Sequence, residues 1–337
     1  MKKKNLIILG STGSVGTQTL DVIRENADKF NVIGLSGNKN TELLKKQIKE
    51  FNPEVFYSSS LQGSSASLSK LAQHPKADLI VNALSGKAGV EPTIKAIEAG
   101  KNIALANKEV WAYAGEKVKQ LLKKSSSKII PLDSEHNAIF QCLQGEDPAN
   151  IHKIVLTCSG GPFFGKKKED LENVTAKDCL NHPTWPDMGK KILVDCATLA
   201  NKGLEVIEAK YLFNLKPEQI EVVVHRESLV HGYIIFKDGG IKAVISPNDM
   251  KIPIAYALFY PERSNKCSEN LTIPSLTFRS PDLQTFESLK LAYKAAEQGP
   301  KYEQLFVEAN DEAVDKFFKG EIKFLDIQES IKSKLNI

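Results

Sequence analysis

Residues 6–23 read LIILGSTGSVGTQTLDVI. Leu6 to Leu9 form an apolar run that suits a buried strand, and Gly10, Gly13 and Gly16 follow it. From Thr17 to about Asn26 the residues read as a helix. Glycine lets the backbone turn sharply and approach a pyrophosphate, and a helix N-terminus then offers free N–H groups and positive potential. The G-x-x-G-x-x-G spacing is one residue longer than the commonest dinucleotide fingerprint. The same letters could make an ordinary glycine-rich turn; their place between a strand and a helix favours a nucleotide.

The pattern repeats downstream. Val32–Leu35, Leu79–Ala83, Ile103–Ala106 and Ile129–Leu132 are strand candidates. Thr41–Glu50 and Glu91–Ala99 are helix candidates, and the serine-rich stretch 58–69 reads as a loop. Strand and helix alternating at this spacing predict a Rossmann-like α/β domain, a parallel sheet with helices on both faces, over residues 1–130. After residue 150, Ile154–Thr157, Lys191–Val194, Glu221–Val224, Gly232–Lys237 and Ile241–Ser246 look like strands, with a hairpin at Asp238-Gly239. A central α+β domain with a mostly antiparallel sheet is expected over 131–262. Residues 263–284 read as a linker. Phe286, Leu289, Tyr293 and Ala296 fall at helical spacing, and a second helix near Glu308–Phe318 stops at Gly320, so 285–337 reads as a small helical domain.

Composition sets the class. The 337 residues are 42% hydrophobic, and 45 Lys+Arg against 41 Asp+Glu leave a net charge of +4. That balance excludes nucleic acid as an obvious partner, while a mild positive field suits phosphorylated small molecules. Cys142, Cys158, Cys179, Cys196 and Cys267 form no C-x-x-C pair, which points to reduced thiols. The opening MKKKNLIILG mimics a signal peptide, yet its apolar run falls short of the roughly 7–15 residues of an h-region. No apolar run approaches the roughly 20 residues that span a bilayer. A soluble cytoplasmic protein with no membrane partner is expected.

The stretch LDSEHN, residues 132–137, places Asp133 and Glu135 around Ser134 at the end of a strand candidate. On an extended backbone, i and i+2 point to one side, so the two acids could converge on Mg²⁺ or Mn²⁺. Equally, Ser134 could cap a helix with Glu135 in its first turn. Residues 182–209 add Glu205 beside Asn201 and Lys202, and LTCSGGPF (156–163) adds Ser159 and the amides around Gly160-Gly161. After the second strand stand Gly37-Asn38-Lys39-Asn40, where an NAD enzyme usually has an acid for the ribose hydroxyls. Lys39 suits a 2′-phosphate and hence NADP, or is a solvated loop lysine.

GSTGSVGTQTLDVI, IALANKE, PLDSEHNAIFQCL, LTCSGGPF, NKGLE and FLDI, in this order, resemble the 1-deoxy-D-xylulose 5-phosphate reductoisomerase family from residue 6 to about 327. The resemblance implies a three-domain homodimer that uses NADPH and Mn²⁺ or Mg²⁺. It implies rearrangement of 1-deoxy-D-xylulose 5-phosphate by carbon–carbon cleavage and rejoining, then reduction of a branched aldehyde to 2-C-methyl-D-erythritol 4-phosphate for isoprenoid synthesis. On the matching positions, Asp133, Glu135 and Glu205 become metal ligands, and Ser134 a substrate contact between two of them. Ser159, His182, Asn201 and Lys202 would hold the substrate's phosphate and hydroxyls. Trp185 and Met188 fall in a mobile flap. Gly10, Thr12, Gly13, Ser14, Val15 and Gly16 match the pyrophosphate turn, Lys39 and Asn40 lie near the 2′-phosphate, and Asn107, Lys108 and Glu109 line the cofactor cleft. Read without the resemblance, Trp185 is equally a core aromatic and His182 an interior histidine.

The chain departs from the family in several places. Asp195-Cys196-Ala197-Thr198 stands for D-S-A-T, so a weaker thiol donor replaces a hydroxyl that contacts substrate phosphate. Pro186-Asp187 lengthen the flap by one residue, and HRES (225–228) stands where HPQS is common. The alternatives are a different NADP-dependent reductase of a small phosphorylated or semialdehyde substrate, or a catalytically silent NADP-binding homologue.

Overall fold

In the computed structural model, the described residues are 3–61, 67–181, 183–184, 189–265, 273 and 275–337. His182, Trp185, Pro186, Asp187, Met188, Cys267 and Pro274 lie outside them. In chain order the elements begin β1 (Lys4–Leu9), α1 (Ser14–Glu25), β2 (Phe30–Ser36), α2 (Thr41–Phe51), β3 (Val55–Tyr57), α3 (Leu68–Ala72), β4 (Leu79–Asn82) and α4 (Val90–Glu98). Then come β5 (Asn102–Leu105), α5 (Glu109–Leu122), β6 (Ile129–Pro131), α6 (Ser134–Cys142), β7 (Ile151–Cys158), α7 (Ala176–Cys179), α8 (Lys190–Ala197) and α9 (Ala200–Leu212). The rest are β8 (Ile220–Val224), β9 (Val230–Phe236), β10 (Ile241–Ile245), α10 (Lys251–Phe259), α11 (Glu287–Gln298), α12 (Pro300–Phe318) and α13 (Asp326–Leu335). No helix among the described residues is long and apolar enough to cross a membrane.

Two compact units divide the chain. The first comprises residues 1–110, 116–137 and 249–269. Its six strands run β3-β2-β1-β4-β5-β6, and every pairing is parallel. This is the expected doubly wound sheet, with its reversal of strand order between β1 and β4. Leu6, Ile7, Ile8 and Leu9 are wholly buried, as a central strand covered on both faces requires. The unit is completed from far along the chain. In α10, Pro253, Ile254, Tyr256, Ala257 and Leu258 are buried. Phe259 meets Phe30 edge to face at 5.0 Å, and Lys4 Nζ donates to the Leu258 carbonyl at 2.9 Å.

The second unit comprises residues 111–115, 138–248 and 270–337. Its sheet runs β10-β9-β7-β8, with β7–β8 parallel and the other two pairings antiparallel. The β9–β10 hairpin turns at Asp238-Gly239, with Gly239 at φ 87. Helices α9, α11, α12 and α13 pack in this unit. A Cβ on Gly203 would stand 2.5 Å from the Ala292 Cβ, so α9 and α11 approach as closely as only glycine allows. Between α9 and α12, the fully buried Glu303 accepts from Lys210 Nζ (2.6 Å) and Tyr211 OH (2.6 Å).

Some expectations do not hold. Lys191–Val194 is not a strand; it lies in α8, where Leu193, Val194, Asp195 and Ala197 are buried. The helix expected near Glu308 starts at Pro300, a favoured first-turn position for proline. The loop expected over 58–69 already contains the first residues of α3, and β3 and α5 have no counterpart in the sequence reading. Nor does the chain stay extended through residues 133–135, because α6 begins at Ser134.

Candidate functional site

In a parallel sheet every strand delivers its following loop to the carboxyl end of the sheet, and the candidate residues of the first unit lie in such loops or in the first turn of the helix that follows. After β1, Gly10 adopts φ +82, and a Cβ there would stand 2.6 Å from the Ala83 carbonyl oxygen. A Cβ on Gly16 would stand 2.2 Å from the Gly10 carbonyl oxygen. Both glycines are therefore forced by close backbone approach. Gly13 precedes α1 and brings no side-chain cap, which leaves the first N–H groups of α1 without one. Thr12 and Val15 are half-buried and Ser14 is exposed in this turn. After β2, Lys39 and Asn40 are exposed, and Asn40 Oδ1 caps α2 by accepting from Leu43 N at 3.1 Å.

After β5, Asn107 is buried and structural. Its Nδ2 donates to the carbonyls of Leu84 (2.8 Å) and Gly86 (2.9 Å), and its Oδ1 accepts from Val110 N (3.0 Å). Glu109 Oε1 accepts from Gly86 N at 3.2 Å, so the β4 and β5 loops are tied together. Lys108 Nζ pairs with Asp133 Oδ2. After β6, Asp133 rather than Ser134 opens the helix: its Oδ1 accepts from Glu135 N (3.2 Å), and its carbonyl accepts from Asn137 N (2.8 Å). Ser134 Oγ donates to Glu135 Oε2 at 2.6 Å. The cap uses Oδ1, while Oδ2 faces the Lys108 ammonium.

The second unit carries the remaining residues. Asn201, Lys202 and Glu205 share one stripe of α9 at i, i+1 and i+4. Glu205 is 1% exposed, accepts from Asn201 Nδ2 at 2.7 Å and pairs with Lys202 Nζ. Burying this carboxylate is tolerated because its charge is matched and hydrogen-bonded. At the end of β7, Ser159 leads into Gly160 (φ 78) and Gly161 (φ 70). A Cβ on Gly161 would stand 2.7 Å from the Cys196 carbonyl oxygen, so this loop lies against the end of α8. That helix is held from α12. Asn310 Nδ2 donates to Asp195 Oδ1 (2.8 Å), and Lys191 Nζ reaches Asp195 (2.7 Å) and Asp311 (2.8 Å). Burial alone would lower the Lys191 pKa, but the two aspartates outweigh it and the net shift is upward.

The structure thus gathers the first-unit candidates at the carboxyl end of one sheet. In the second unit it brings the Ser159 loop to Cys196 and sets Asn201, Lys202 and Glu205 together on α9. His182, Trp185 and Met188 lie outside the described residues. Two residues were not assigned to the site from the sequence. His136, wholly buried, places Nδ1 3.0 Å from Asp133 Oδ1; its i+3 spacing from Asp133 was the available signal. Arg226 donates to the Ser159 loop, and no local pattern announces that contact. The three acids that the resemblance assigns to a metal, Asp133, Glu135 and Glu205, are all carboxylates, a chemistry that suits a hard divalent cation such as Mg²⁺ or Mn²⁺ over a soft metal.

Three family models match the chain. One described as 1-deoxy-D-xylulose 5-phosphate reductoisomerase covers residues 6–67 and 57–115. Its C-terminal-domain model covers 129–213, and a further DXP reductoisomerase C-terminal-domain model covers 245–336. The 1-deoxy-D-xylulose 5-phosphate reductoisomerase of Thermoanaerobacter sp. strain X514 is 46% identical over 353 aligned positions, covering 98% of this chain and 92% of the relative. That of Clostridium acetobutylicum is 45% identical, covering 99% and 92%. Among solved structures, a DOX-P reductoisomerase in complex with NADPH, fosmidomycin and magnesium superposes with a TM-score of 0.93 at 38% identity, covering 99% of this chain and 89% of its own. The Zymomonas mobilis reductoisomerase in complex with NADPH gives 0.91 at 35%, covering 99% and 92%.

Proposed function

This chain belongs to the 1-deoxy-D-xylulose 5-phosphate reductoisomerase family, and from that premise we propose how its residues divide the work. The enzyme converts 1-deoxy-D-xylulose 5-phosphate to 2-C-methyl-D-erythritol 4-phosphate with NADPH and a divalent cation, in isoprenoid biosynthesis. The observation that carries this reading is the 46% identity across 98% of the chain. The matched span 129–213 includes Asp133, Glu135, Ser159, Lys202 and Glu205.

When bound, the cation would supply positive charge that stabilises developing oxyanions, and NADPH would supply hydride. Asp133, Glu135 and Glu205 would hold the cation. Ser134 contacts the substrate between the first two acids. Ser159, Cys196, Asn201, Lys202 and His182 hold the phosphate and hydroxyls, and such remote grip can be spent on orienting the reacting carbons. The α1 N-terminus, with Gly10, Thr12, Gly13, Ser14, Val15 and Gly16, receives the cofactor pyrophosphate. Lys39 and Asn40 face its 2′-phosphate. Lys108 and Glu109 line the cofactor cleft, and Asn107 keeps that loop in shape. The resemblance assigns Trp185 and Met188 the exclusion of water, which protects an aldehyde from side reactions.

The protein works as a homodimer in the cytoplasm, with Mn²⁺ serving as well as Mg²⁺. Strand β10, at the end of the sheet among the described residues, supports self-association: it exposes the apolar side chains of Ile241 (64%) and Ile245 (38%). The four charged residues Asp133, Lys202, Glu205 and Glu135 are all present, which speaks against a silent homologue. The decisive experiment is loss of NADPH absorbance on adding 1-deoxy-D-xylulose 5-phosphate with Mn²⁺ or Mg²⁺, abolished by EDTA and restored by the metal. Binding of NADPH without turnover under these conditions would overturn the reading.

A further inference from the structure

The turn after β8 reaches across to the loop after β7, within the second unit. The His225 amide donates to the Cys158 carbonyl at 2.8 Å, and one residue on, Arg226 Nη1 donates to the carbonyls of both Ser159 (2.7 Å) and Gly161 (3.0 Å). The guanidinium lies over the Phe164 ring at 5.3 Å, and that ring in turn crowds Gly160, where a Cβ would stand 2.9 Å from Phe164 Cδ2. So a single side chain holds two carbonyls of a loop with two successive left-handed glycines. Gly160, Phe164, Leu199, Val224 and Phe286 border a cavity of about 160 Å³ beside the loop.

We propose that Arg226 is a positioning residue for the phosphorylated substrate. By holding the Ser159 and Gly161 carbonyls, it sets the Ser159 hydroxyl and the amide of Gly160 where an anion meets them. In a trans peptide the N–H points opposite to the preceding C=O, so a Ser159 carbonyl fixed on Arg226 turns the Gly160 N–H to the other side of the loop. The arrangement belongs to a position where this chain departs from its family, whose usual proline there has no such donor. The inference rests on the reading of Ser159 as a substrate contact.

The test is steady-state kinetics on the full-length enzyme with R226M, R226K and S159A, alongside thermal unfolding. R226M is expected to raise KM for the phosphorylated substrate about tenfold, the scale of a hydrogen bond from a charged donor. The kcat, the KM for NADPH and the melting temperature stay unchanged, because only uniform substrate binding is lost. R226K, which keeps a charged donor, restores most of the loss. An unchanged substrate KM in R226M while S159A raises it overturns the clamp and leaves the site reading standing. A parallel shift of both KM values and the melting temperature overturns it too, as mere structural support. If S159A leaves the substrate KM unchanged, the site reading itself fails and the clamp goes with it.

Discussion

A Cβ on Gly161 would stand 2.7 Å from the carbonyl oxygen of Cys196, and Gly161 sits at φ +70. The loop after β7 and the end of α8 are therefore locked at a distance that only glycine permits. Gly161→Ala combines a left-handed backbone with a steric overlap and should cost about 1–3 kcal/mol of stability. It should also raise the substrate KM; unfolding and kinetics together check this.

Cys196 offers a thiol where a hydroxyl is usual, and a thiol is a weak, long donor. Cys196→Ser should lower the substrate KM with little change in kcat. A KM that does not move removes Cys196 from the substrate site.

Asp133 both opens α6 and faces Lys108. Asp133→Asn keeps an Oδ1 acceptor for the helix but loses the charge; Asp133→Ala loses both. The asparagine variant should melt near wild type yet lose turnover by about 100-fold or more, the scale on which charge stabilisation acts, and bind Mn²⁺ weakly in a metal titration. The alanine variant should also lose about 1 kcal/mol of stability. If asparagine retains turnover, capping was the carboxylate's whole purpose.

Gly16 meets the Gly10 carbonyl at 2.2 Å from its would-be Cβ. Gly16→Ala must push α1 away from the turn, so NADPH binding, read by cofactor fluorescence, should be lost ahead of any effect on metal binding.

Burial pushes the Cys142 thiol up to about 11 and the Cys179 thiol to about 12, from an ordinary 9.0. In the unfolded chain these thiols lose protons at lower pH than in the folded one. The native state then holds more protons, so stability is level below pH 9 and falls as pH rises from there toward 11. Urea midpoints across pH 7 to 10.5 should show that decline. At pH 8, iodoacetamide should spare Cys142 and Cys179 until the protein unfolds.

The first unit was legible because its strands are short apolar runs and its helices are amphipathic, with glycines marking the turns. The second unit was less so. In α9, Lys202, Glu205 and Glu208 are buried along with Leu204, Val206 and Ile207, which erases the helical alternation. In α8, Ile192-Leu193-Val194 is an apolar run of the kind that periodicity cannot assign to strand or helix. A non-helical residue at Ala114 interrupts α5, and Trp111 to Gly115 belong to the second unit, so its apolar pattern serves two surroundings. At the site, residue types were readable but partners were not. Lys108 on Asp133 and Arg226 on Ser159 join segments 25 and 67 positions apart, and no local pattern encodes such a meeting.

The parallel sheet of the first unit is finished by α10, whose residues follow β6 by more than a hundred positions. A nascent chain that has just emerged through β6 still lacks the helix that covers Phe30 and takes the Lys4 hydrogen bond. During translation the first unit should therefore complete its packing only after the second unit's sheet has been synthesised. A ribosome paused early would display an unfinished apolar flank to chaperones. A fragment ending near residue 130 should accordingly be aggregation-prone, and supplying residues 249–265 as a separate peptide should rescue it.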